Sequence, residues 1–149
     1  MNKVHFIVAD DKTGLQAGVF FIRVNEWSLD IVLKTLTYCY FNSNKFLKYH
    51  DQSAINNVLT EYDEKEHYVV VPQRWFNNNF KTIRKGDFLL HIMGNNRNER
   101  KGKNNIFKKY LNYTNYEEDW YLKSNKEMRK EVLEYYNLPK EQQHKISVQ

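Results

Sequence analysis

His91 stands out first among the residues that could do chemistry. It interrupts the apolar run DFLLHIM (Asp87–Met93) and is followed by Gly94. Strand ends are where open α/β sheets bind ligands, and a neutral imidazole there can take a divalent metal. A lone histidine specifies no metal site without carboxylate partners, so a satisfied core histidine explains the same residue. Outside Glu117, Glu118 and Asp119, the acidic pair Asp10–Asp11 reads as a solvated turn. His50, Asp51 and Gln52 bring a ring, a carboxylate and an amide to the start of a helical pattern. Such groups can orient a sugar or act near a reacting centre. Capping by Asp51, with His50 exposed, is the plainer account. Gly14 and Gly18 flank Leu15, Gln16 and Ala17, small enough for backbone to approach a ligand, or simply a turn into a strand. In VPQRWF, Trp75 and Phe76 can stack on a sugar, and Gln73 and Arg74 can meet hydroxyls or phosphate. A core-packed aromatic pair fits that segment equally well.

These residues need elements to position them. His5–Ala9 reads as a short strand, Asp10–Thr13 as a polar break, and Gly18–Val24 as a second strand rich in β-formers. Ser28 reads as the N-cap of a helix whose buried stripe would be Leu29, Val32, Leu33, Leu36 and Tyr40. A second helix starts near Asp51, with Ala54, Ile55, Val58 and Leu59 facing inward. Tyr68–Val71 is a strand stopped by Pro72, and Asp87–Met93 another. Asn95–Asn105 reads as a polar, basic loop. Ser124 and Glu127 form a capping-box pattern for a last helix with Met128, Val132, Leu133 and Tyr136 on one face. The result is a mixed α/β chain, too irregular for a doubly wound dinucleotide fold. It has neither GxGxxG nor GxxxxGK[ST].

Bulk properties narrow the classes further. With 149 residues, 41% of them hydrophobic and 28% charged, the chain is one domain's worth and can bury a core. The net charge of +5 is small and interleaved with acids, more a solvated surface than a nucleic-acid footprint. The basic stretch around Arg97 and Arg100 leaves room for a phosphorylated ligand. Cys39, the single cysteine, sits among apolar residues and reads as a buried thiol. No apolar run is long enough to span a membrane, and the first residues do not resemble a signal peptide.

Four segments, taken in order, resemble the galactosyltransferase/mannosyltransferase family of fungal Golgi enzymes, glycosyltransferase family 34. They are GLQAGVFFIRVNEWS (Gly14–Ser28), DQSAINNVL (Asp51–Leu59), VPQRWFNN (Val71–Asn78) and GDFLLHIMG (Gly86–Gly94). The resemblance implies the C-terminal, acceptor-side portion of a GT-A-type nucleotide-diphospho-sugar transferase, a mixed sheet flanked by helices. That portion would occupy residues 1–139, followed by a disordered polar tail over 140–149. The implied reaction is retaining transfer of a hexose such as galactose or mannose from a nucleotide sugar to a glycan. Manganese or another divalent cation would assist. Asp51 and Gln52 would lie near the anomeric carbon and acceptor. Gln16, Ala17 and Gly18 would wall the sugar pocket, with Gln73 and Trp75 also on substrate. His91 would join the metal, and Gly94 and Arg97 the donor phosphates.

The chain departs from the family pattern in four places. No D-x-D precedes Gly14, Gln16 stands for the usual Asn, Asn95 replaces a cysteine of some branches, and no membrane anchor is present. Weak or absent transferase activity is therefore expected of this chain alone. A non-catalytic glycan- or partner-binding remnant of the same fold is the alternative function. A Golgi membrane location follows from the resemblance only. Expected partners are the nucleotide sugar and glycan, with no nucleic acid, and with self-association or a complex with other glycosyltransferases through an unpaired sheet edge.

Overall fold

A computed structural model describes residues 3–11, 13–62, 64–79, 83, 89–92, 108 and 124–147. The chain gathers into two compact units, Met1–Gln73 with Lys140–Gln149, and Arg74–Pro139. The domain read from sequence over 1–139 thus spans both units, and the residues after it lie with the first.

The first unit is built on a three-stranded sheet in the order β2-β1-β3. Strand β1 (Phe6–Asp11) is central, antiparallel to β2 (Gly14–Ile22) and parallel to β3 (Tyr68–Val71). The second strand therefore begins at Gly14 rather than Gly18, and Asp10 and Asp11 belong to β1 rather than to a break. Gly14 turns the hairpin with φ 103°, a value that favours glycine. Between Val8 and Ala9 the β1–β2 register slips: Val8 faces Phe20 but Ala9 faces Gln16. Ala17, Gly18 and Val19 are extra residues on β2, a bulge of the kind that re-aims side chains beside functional sites.

Helix α1 (Glu26–Phe41) begins one turn earlier than Ser28. Asn25 is the cap: its Oδ1 accepts from the Ser28 amide at 2.9 Å, and Ser28 Oγ accepts from the Asn25 amide at 2.9 Å. Ser28 is the third residue of the helix, and the reciprocal pair satisfies two otherwise orphaned donors. The buried face also differs from the expected stripe. Ser28, Ile31 and Tyr38 are buried, whereas Leu29, Val32, Leu33, Leu36 and Tyr40 are 45–82% exposed. At about 100° per residue the two sets lie roughly 140° apart around the helix. Helical spacing alone could not choose, because α1 is apolar on both sides. Cys39 is exposed, not buried.

Helix α2 (Asp51–Glu61) buries Ala54, Val58 and Leu59 as its pattern predicts, and also Ser53, Asn56 and Asn57. Ala54, Val58 and Leu59 join Phe6, Val8, Leu15, Ile31, Tyr38 and Val70 in one core, with Ile55 packed against it. Full burial of each large apolar side chain contributes about 1.5–3 kcal/mol. Tyr38 keeps its hydroxyl at the rim, donating to the Glu61 carboxylate at 2.9 Å and accepting from Lys45 Nζ at 3.0 Å. The stretch read as a polar tail carries a 3-10 turn at Lys140–Gln142. Ile146 packs on the core, Asn56 Nδ2 donates to the Ser147 carbonyl at 2.6 Å, and His144 Nδ1 lies 2.6 Å from Asp10 Oδ1.

At the start of β1, the His5 ring stacks on His67 (5.3 Å, 12°) and tilts against Trp27 (5.6 Å). Trp27 Nε1 donates to Glu64 at 2.8 Å. His5 Nδ1 is buried with no hydrogen-bond partner. Desolvation, then His67, then Arg23 lower its pKa from the ordinary 6.5. The unfolded chain therefore protonates first. Stability tied to the neutral ring is complete above pH 6.5 and is lost as pH falls below it. The melting midpoint is expected to drop between about pH 7 and pH 5, and His5→Phe to flatten that slope. Identical pH profiles for the two proteins would refute this assignment.

In the second unit, Gln73–Trp75 leads in as a 3-10 turn, and Asn78 makes a parallel bridge with Leu90. Of the expected Asp87–Met93 strand, residues 89–92 are described, and there only Leu90 pairs, through that one bridge; Asp87, Phe88, Met93 and the Asn95–Asn105 loop lie outside the described residues. Helix α3 (Asn125–Tyr136) has its capping box, Ser124 with Glu127, as expected. Among its described side chains Tyr135 is buried, and Leu133, expected inward, is exposed.

Candidate functional site

The hairpin joining β1 to β2 and the start of α2 bring Gln16, Ala17 and Gln52 together. Gln16 is buried on β2, and its Nε2 donates to Asp11 Oδ2. The other Asp11 oxygen accepts from the Thr13 amide at 2.6 Å and from the Thr13 hydroxyl at 2.5 Å. Gln52 reaches across from α2. Its Oε1 accepts from the Ala17 amide at 3.3 Å, and its Nε2 lies 3.5 Å from Thr13 Oγ1. The amide groups of two glutamines are thus both tied to one carboxylate, Asp11, directly or through Thr13. Gly18 follows in the bulge, exposed.

The approach to α2 is strained. His50 has φ 48° and ψ −114°, values of the first central residue of a type II′ turn, where glycine is preferred. The Gln52 amide donates to the Tyr49 carbonyl at 3.1 Å, closing that turn. The Tyr49 amide donates to Ser53 Oγ at 3.1 Å and holds it from outside. A non-glycine residue in such a region costs on the order of 1–3 kcal/mol, and such residues cluster at functional sites. Asp51 follows, exposed, at the first helical position, where a carboxylate meets the positive end of the helix dipole.

Gln73 ends the first unit with its Nε2 buried and without a hydrogen-bond partner. In the second unit Trp75, half-buried, packs edge-on against Tyr135, with centroids 5.0 Å apart, and Phe76 is buried. His91 also lies there. Its amide donates to the Asn78 carbonyl at 2.6 Å, and its Nδ1 lies 2.6 Å from Asn77 Oδ1. With the Asn77 amide oxygen facing the ring, the assigned tautomer protonates Nδ1 and leaves Nε2 its lone pair. Burial lowers the His91 pKa below 6.5, which favours the neutral ring. A ring oriented from behind and kept neutral is the form that binds a cation. Among the described residues, however, no group of three His, Cys, Asp or Glu could hold a metal ion. The described residues therefore fit one imidazole ligand and no complete metal centre. Gly94 and Arg97 lie outside the described residues.

Two contributors escaped the sequence reading. Asp11 anchors the amide cluster, and its signal is the Asp11-Lys12-Thr13 spacing just before Gly14, which favours a side-chain turn. Asn77 orients His91, and the sequence marks it only as one of three consecutive asparagines.

Amide, carboxylate and hydroxyl groups held at a strand end and a helix start can meet the hydroxyls of a polar ligand such as a sugar. Residues 1–102 of the 149 match the galactosyl transferase GMA12/MNN10 family. The chain belongs to that family, and all four motif segments fall within the match. No curated protein and no solved structure matches the chain. No helix among the described residues is long and apolar enough to cross a membrane.

Proposed function

We propose that the chain is the acceptor-side portion of a GT-A-type, retaining hexosyltransferase of the Golgi that moves a sugar such as galactose or mannose from a nucleotide sugar to a glycan. The observation that carries this reading is the Gln16–Asp11–Thr13–Gln52 cluster beside a bulged strand. Gln52 orients the transferring sugar near its anomeric carbon, with Asp51 on the acceptor side. Gln16, the Ala17 backbone and Gly18 wall the pocket. Asp11 keeps both amides in place, which lowers the ordering cost when substrate arrives. In the second unit, His91 Nε2 is the group offered to a divalent cation such as manganese. When bound, the cation would neutralise charge on the departing diphosphate.

Calorimetric titration with UDP and with GDP, with and without manganese, tests the donor side. Manganese-dependent binding of one nucleotide is expected, and His91→Ala is expected to lose at least tenfold in affinity, about 1.4 kcal/mol. Binding of neither nucleotide would sink the transferase reading and leave a non-catalytic, glycan-binding remnant.

A further inference from the structure

The segment that follows the Lys140–Gln142 turn ties together the two elements whose side chains meet in the amide cluster. At one end, His144 Nδ1 lies 2.6 Å from Asp10 Oδ1 on β1. At the other, the Ser147 carbonyl accepts from Asn56 Nδ2 on α2 at 2.6 Å. Ile146, between them, packs on the core. Both anchors adjoin the cluster. Asp10 directly precedes Asp11, which holds Gln16 and Thr13 from the other face of the strand. Asn56 stands one helical turn after Gln52, at the i+4 position on the same face of α2. The three residue steps from His144 to Ser147 reach at most about 10 Å, so the segment crosses from β1 to α2 directly.

Burial alone does not account for these contacts. Asn56 is fully buried, and its Oδ1 has no hydrogen-bond partner. An orphaned acceptor of that kind costs stability that an apolar side chain would keep. Its Nδ2, by contrast, has two acceptors, the Ser147 carbonyl and Asn57 Oδ1 at 3.3 Å. Asp10 shares the side of β1 that carries Phe6 and Val8 into the core. A carboxylate at the end of that row is costly without a partner, and His144 supplies one. What these polar groups add is position.

Position is what the cluster needs. Ala17 lies in the bulge of β2, outside the strand pairing, and its amide donates to Gln52 Oε1 at 3.3 Å. The other contact of Gln52, to Thr13 Oγ1, is 3.5 Å long. Both sit at the long end of the hydrogen-bond range, where a small displacement breaks them. Apolar packing of α2 on the sheet is non-directional. It sets how far the helix lies from β1 and leaves sliding along β1 open. The two short, directional contacts of the His144–Ser147 segment close that freedom.

We infer that His144–Ser147 is a clasp that holds Gln52 against the hairpin, with His144 and Ile146 as positioning residues of the proposed sugar pocket. Its consequence for substrate rests on the transferase reading, whereas the clasp itself is read without turnover. Amide hydrogen exchange of the intact protein, followed by NMR, tests it at the Ala17 amide. His144→Ala is expected to speed exchange there by at least about threefold, the loss of roughly one net hydrogen bond. His144→Ala/Ile146→Ser is expected to speed it by at least about tenfold, or roughly 1.4 kcal/mol. The amides that pair β3 with β1 are expected to keep their rates in both. His144→Gln, whose side-chain amide can still donate to Asp10, is expected to match the wild type. An Ala17 rate that neither alanine variant changes overturns the inference, as does a His144→Gln protein as fast as His144→Ala. Equal acceleration at Ala17 and in β3 also overturns it, because the segment would then only plug the core. Exchange that responds as expected in a protein that turns over no nucleotide sugar would sink the transferase reading and leave the clasp standing.

Discussion

Leu59→Ala is expected to destabilise the protein by about 3 kcal/mol, and Leu36→Ala to change its stability by less than about 0.5 kcal/mol. Both are leucines on apolar helical stripes, and sequence pattern alone puts both inside. Leu59 is fully buried in the core of the first unit, whereas Leu36 is 75% exposed. Truncating Leu59 removes the transfer free energy of its methyl groups and leaves a cavity lined by neighbours that relax only partly. Truncating Leu36 opens no cavity. For a chain of this length, 3 kcal/mol lowers the melting temperature by roughly 6–12 °C. Melts followed by tryptophan fluorescence read the difference directly. Equal losses for the two variants would mean that α1 is rotated from the orientation described.

Gln52→Ala carries the second large effect, this time on chemistry. Turnover of the nucleotide sugar, by transfer or by slow hydrolysis, is expected to fall about 10²–10³-fold, the range for removing one positioned polar group at a reacting centre. The accompanying loss of stability is expected to stay near 1 kcal/mol, because the side chain makes only two long hydrogen bonds and is partly buried. That separation is the useful feature, since a structural role alone would move stability and turnover together. Lys3→Ala, which removes an exposed ion pair with Glu66, serves as the control and is expected to change neither. A Gln52→Ala protein within threefold of wild type would remove Gln52 from the mechanism. Absence of turnover in the wild type, with both UDP- and GDP-sugars, would leave the family membership intact and the chain a remnant.

The strain at His50 bears on the same site. A type II′ turn with histidine at its first central position is held by Ser53 and by the start of α2. Neither the histidine nor its neighbours announce a positive φ, so sequence reading saw an ionisable ring and not a backbone conformation. The geometry shows instead that the turn leads into a helix start from which Gln52 reaches the hairpin.

What the sequence determined by itself is what depends on local order along the chain. The family follows from four motifs in sequence. The strands at β1 and β3, helix α2 with its inward Ala54, Val58 and Leu59, and the Ser124–Glu127 cap follow from spacing and capping chemistry, which act over a few residues. Only the tertiary structure decided which side of α1 faces the core, because both sides are apolar and the choice rests on what packs against them. It also decided that Asp11, read as a solvated turn, anchors Gln16 and Thr13, and through Thr13 Gln52. Gln52 lies 41 positions from Asp11, and no local signal carries that distance. A hydrogen-bond network among residues brought together by a hairpin and a helix exists only once the core beneath them has set their separation.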